Sequence, residues 1–274
     1  MNKMNQIKTL FLAEYQKRRS SYWWPLWIVA GLTVLSLLAL LVAFIIDSPN
    51  IIMYGSDGSF EGLRIGMYGV MFSFGMIFIL FMALGAQSSL NREKQLGSDL
   101  FFRCQPVCVW KVTAIKYIMH IFGSSLLLLG FGIIFALVLS IVSMFFADGF
   151  YFGQALYGTF LGWITYLKVA LVLGSLSFFF SSVFKNNALI LGMAGLGILE
   201  GLFAIIEAIF RHTIDMPNIF ESLVRMVGTM GLDEIDEINI SIVMGDYRFL
   251  FGILFAAACY AGATLIYKYR AKDV

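Results

Sequence analysis

Six apolar runs constrain this chain more than anything else in it. They fall at about 23–46, 65–88, 117–146, 155–184, 188–210 and 249–267, and a helix needs roughly 20 residues to cross a bilayer. Composition points the same way. Of the 274 residues 60% are hydrophobic and only 13% charged, and mean hydropathy is +0.85; soluble domains average about 25% charged residues. Too little polar surface is left for a fold in water. The third and fourth runs exceed the minimum and are expected to tilt or to project into the cytoplasm. Alternating strand patterns are absent, which argues against a barrel. The expected fold is an all-α membrane protein with six transmembrane helices, a single domain over 1–274.

Charge sets the orientation. With the N-terminus inside, fourteen of the 19 Lys and Arg residues fall in inner segments: Lys3, Lys8, Lys17, Arg18, Arg19, Arg92, Lys94, Arg103, Lys111, Lys116, Lys185, Lys268, Arg270 and Lys272. Arg64, Arg211, Arg225 and Arg248 fall outside, with most of the acids. This positive-inside bias places both termini in the cytoplasm. The net charge of +2 gives no argument for nucleic acid as a partner; inner basic residues suit anionic lipid headgroups.

Before the first run, 1–22 carries Met4, Ile7, Phe11 and Tyr15 at helical spacing among basic residues. That pattern predicts an amphipathic helix lying on the inner leaflet. Trp23, Trp24 and Trp27 mark the interface, and Pro25 suits the first turn of a span. The stretch is not read as a cleavable signal, because the apolar run is too long and lacks a cleavage site. The connection 211–248 is expected outside. In it Asn218 caps a short helix with Ile219, Leu223, Met226, Val227 and Met230 on one face. Cys104, Cys108 and Cys259 form no zinc pattern, so no metal is expected.

The longest basic, polar interruption, 89–116, lies between runs two and three. It carries Arg92-Glu93, then Gly97, the bulky trio Leu100, Phe101 and Phe102 with Arg103, then Pro106-Val107, and Lys111 or Lys116 entering the third run. On these residues and the six-run topology, the chain resembles the permease subunits of ABC-2 type transporters. The resemblance implies an N-terminal elbow, a cytoplasmic coupling hairpin that docks on an ATPase, and a long external connection before the last span. Cys108 departs from the Ser often found after Pro-Val. The resemblance also implies separate ATPase subunits holding ATP and Mg, and a second permease copy or sister permease. The chain itself carries no G-x-x-x-x-G-K-[ST] loop to cradle phosphates and is expected to be neither an enzyme nor cofactor-bound.

Two charges fall deep in the runs. Counted from the turn at Asn186, Lys168 and Glu200 lie ~27 and ~21 Å up neighbouring helices at ~1.5 Å per residue, so they are expected to pair. Glu207 is on the same face as Glu200, and this face is a candidate border of a transport route; a purely structural ion pair is the competing reading. Gly192, Gly197 and Gly201 form a small-residue stripe suited to close helix packing. The resemblance places it at a dimer seam with span two.

The expected function is the membrane subunit of an ATP-driven exporter in a bacterial plasma or inner membrane, moving a hydrophobic or amphipathic lipid, peptide or drug. A sensing or mechanical role in such a complex is the alternative. An intramembrane enzyme is a remote one, since His120 and His212 fall near opposite faces.

Overall fold

The computed structural model describes residues 3–46, 61–95, 108–146, 149–184, 187–209, 218–227 and 246–269. Among them are seven helices: α1 Lys3–Ile46, α2 Glu61–Gln95, α3 Val109–Phe146, α4 Phe152–Val183, α5 Ala188–Ile209, α6 Ile219–Val227 and α7 Arg248–Tyr269. Five contain apolar stretches long enough to cross a membrane: Leu63–Gly85, Val109–Met144, Phe152–Val183, Ala188–Glu207 and Arg248–Tyr269. They coincide with the second to sixth runs. The chain is an all-α, multi-pass membrane protein. In α1 the apolar stretch with described side chains, Tyr22–Leu35, is shorter.

Two boundaries correct the sequence reading. The 1–22 stretch was expected as a separate helix lying flat before the first span, yet α1 runs unbroken for 44 residues with Pro25 inside it. Proline removes a single rung here, the bond to the Ser21 carbonyl, and the flanking turns carry the helix through. The polar 89–116 stretch is also helical at both edges: α2 extends to Gln95, and α3 begins at Val109.

The packing is organised on α4. Its Gly158 lies under the Arg64 carbonyl, Gly162 against Met71 and Gly174 against Met82, while Tyr166 covers Gly75 of α2. These pairs ascend together, so α2 and α4 run in the same direction. A Cβ at Gly158 or Gly162 would collide with backbone or a buried Met, and only glycine allows this approach. Phe249, Gly252 and Gly262 of α7 meet Lys168, Val172 and Phe179 of α4, again in ascending order. Helix α3 pairs in the opposite sense, Ser125 with Trp163 and Tyr117 with Ser175. Thus α2, α4 and α7 point one way and α3 the other.

The α4–α5 turn passes through Asn187, whose φ of 47° is a left-handed conformation that Asn tolerates better than most residues. The short helix α6 forms as its sequence requires. Asn218 Oδ1 accepts the Glu221 N–H at 2.8 Å, and Glu221 pairs with Arg225 one turn on. Leu223 and Val227 are buried, and they join the core cluster that contains Val172. Val172 lies about 30 Å from the start of α4 at 1.5 Å per residue. The Met226 carbonyl lies against Gly252 near the start of α7, beside Val172 of α4, so α6 covers the place where those two helices meet.

Candidate functional site

Hydroxyl and indole groups converge where α3 meets α4. Tyr166 O–H donates to Ser124 Oγ at 3.0 Å. Trp163 Nε1–H donates to Ser125 Oγ at 2.8 Å, and Tyr117 shares a 2.5 Å bond with Ser175 Oγ. Tyr22 of α1 donates to the Met119 carbonyl at 2.6 Å. On the α7 side, Thr264 Oγ1 donates to Thr113 Oγ1 at 3.1 Å. Each is worth about 0.5–1.5 kcal/mol where both partners are satisfied, and together they fix helices that have no water-driven reason to associate. Tyr22, His120 and Ser124 also line a small cavity with Pro25, Phe78, Phe81 and Met82.

Lys168 faces α7 from α4 and is only 1% exposed. Its Nζ lies 5.3 Å from the centre of the Phe249 ring, and the Asp246 carboxylate acts on it electrostatically. Asp246 also holds the start of α7: its Oδ1 accepts the Arg248 N–H at 2.9 Å. Lys168 was expected to pair with Glu200; the structure gives it Asp246 and Phe249 instead. Glu200 stays on α5, and among the described residues nothing hydrogen-bonds its enclosed Oε2. Counting turns fixed the two heights but not the direction each side chain takes around its helix.

The rest of α5 divides by face. Gly192 is buried against Phe180, whereas among the described residues nothing lies within 4 Å of a Cβ position at Gly197 or Gly201. So the three glycines do not share one contact: Gly192 packs inside the subunit, and the other two lie on an open side. Glu207 is half-buried and engaged by other groups. Of the residues expected to couple to an ATPase, Arg92 and Glu93 lie on the last turns of α2, with their side chains outside the described set. Lys111 is exposed in the first turn of α3. Gly97, Leu100, Phe101, Phe102, Arg103 and Pro106 lie outside the described residues. Asp246 and Phe249 escaped sequence reading; the available signal was an Asp two residues before a helix start, a capping pattern.

No family model, curated protein or solved structure matches this chain.

Proposed function

We propose that the chain is the transmembrane permease subunit of an ATP-driven exporter of the ABC-2 type. In this reading α1 supplies the first of six spans, both termini are cytoplasmic, and two permease copies or a sister pair assemble with separate ATPase subunits. The observation that carries it is the delivery of Arg92-Glu93 and Lys111 to one end of the bundle. Helix α2 runs with α4 and α3 runs against it, so the end of α2 and the start of α3 lie together. The segment 96–107 between them holds Leu100, Phe101, Phe102 and Pro106, apolar knobs and a helix stop for a cleft on an ATPase. The common direction of α2, α4 and α7 is what second, fourth and sixth spans require.

ATP-driven closure of the partner subunits then pushes on this hairpin, and the bundle changes which side of the membrane its cavity faces. The apolar outer surface favours a hydrophobic or amphipathic cargo. The test is co-purification with the cell's own ATPases. The expected result is an ATPase that remains bound to the wild-type chain and is lost when Phe101 and Phe102 are changed to Asp. A cysteine at position 99 labelled from outside the cell, or an ATPase retained by the Asp variant, overturns the reading.

A further inference from the structure

Helix α6 has a wider apolar side than the bundle covers. Counting ~100° per residue, Met226, Ile219, Leu223, Val227, Phe220 and Val224 form one unbroken apolar arc. Glu221, Arg225 and Ser222 occupy the rest of the turn. The bundle buries Leu223 and Val227 and half-covers Ile219 and Met226. Phe220 and Val224, at the edge of the same arc, stay exposed, and so does the Glu221–Arg225 pair beyond them. Around its axis the helix thus has three sides in succession: one against protein, one apolar and open, one charged and open.

What meets the open apolar side follows from where α6 is seated. The Met226 carbonyl lies 2.7 Å from the place a Cβ would take on Gly252, one turn inside α7, which starts at Arg248. The apolar run of α7, 249–267, is about 28 Å long at ~1.5 Å per residue, no more than the ~30 Å of a hydrocarbon core. It has no turn to spare, so Gly252 belongs to the membrane and α6 lies at its boundary. Tyr247 and Arg248 are both exposed there, and aromatic and basic residues are the types that mark such a boundary.

We infer that α6 is an interfacial anchor whose partner is the lipid leaflet at the end of the bundle where α7 starts. Phe220 and Val224 enter the acyl region, while Glu221 and Arg225 face headgroups and water. The anchor pins the chain ahead of α7 to the bilayer.

The test places single nitroxide labels through Phe220→Cys, Glu221→Cys and Val224→Cys, on a background carrying Cys104→Ser, Cys108→Ser and Cys259→Ala, with the full chain in phosphatidylcholine–phosphatidylglycerol vesicles. Collisions with oxygen, which concentrates among acyl chains, are compared with those of a water-soluble nickel chelate. Oxygen should dominate at 220 and 224 and nickel at 221, an inversion within one turn of helix. Nickel dominant at all three positions puts α6 in water and overturns the inference. So do labels that neither reagent reaches, or label–label coupling that is lost on dilution with unlabelled chain, which would assign the face to a second copy. Should the cysteine replacements prevent folding, the unaltered chain decides: a phospholipid with a photoreactive acyl chain should leave adducts on 219–227. Adducts on α7 with none on α6 overturn the anchor.

Discussion

Helices α4 and α5 are joined through one short turn and live in opposite environments. In α4, 72% of the membrane-length stretch is buried inside the subunit; in α5 the share is 6%. The buried helix is the less apolar of the two. That order reverses what water would produce, and it follows from the solvent. Lipid tails are as apolar as Leu, so burial of Leu gains little, while Tyr166, Trp163 and Ser175 reach partners on α3 only inside the bundle, and small Ser and Thr, bonded to carbonyls of their own helix, let neighbours approach closely. Hence α4 takes the centre with Thr159, Thr165, Ser175, Ser177 and Ser181, all buried. In contrast α5 turns Ile190, Ile198, Leu202 and Ile205 outward.

Four substitutions break or sharpen this contrast. Lys168→Met strips Asp246 of a neighbouring positive charge and should lower stability the most of the four. Thermal unfolding followed by size-exclusion chromatography reads it, and adding Asp246→Asn should recover most of the loss. An unaltered single variant would mean that Asp246 is not the counter-ion. Next, Gly158→Leu drives a side chain into the Arg64 carbonyl. Overpacking of that kind costs about 1–3 kcal/mol, and it should loosen α2 from α4 in a cysteine cross-linking assay.

Tyr166→Phe removes only the donor to Ser124 and should lower stability by about 0.5–1.5 kcal/mol. A larger drop would show that the hydroxyl serves a wider network. The smallest effect is expected in α5, where Gly197→Leu meets open space and should change monomer stability by less than about 0.5 kcal/mol. If it destabilises the isolated subunit as much as Gly158→Leu does, the two helices are not the opposites described.

Some of this was legible in the sequence because the signals were local. Asn218 and the apolar positions one turn apart give α6 its cap, its length and its buried face. Hydropathy alone gave five of the apolar helices, and the turn at Asn187 fell where the composition breaks. The misses share a cause: they depend on azimuth or on distant partners. Lys168 and Glu200 have matching heights, yet Lys168 turns toward α7, and its carboxylate comes from a residue at the far side of the 211–248 connection. The partner of α6 was equally hidden, because an apolar stripe states that a face is covered without stating by what. The helix through Pro25 was missed because one lost hydrogen bond is a small penalty against the many that continue on either side.

The unbroken course of α1 has a mechanical meaning. Its N-terminal half bears Lys8 and Arg19 on exposed positions, and its later turns press Val29 and Thr33 into the bundle. A roll about the shared axis that re-aims the first two must turn the second two through the same angle. Torque applied at one end of the helix therefore arrives at the other with no linker to absorb it, and Tyr22, tied to Met119, is the tether such a twist would strain first.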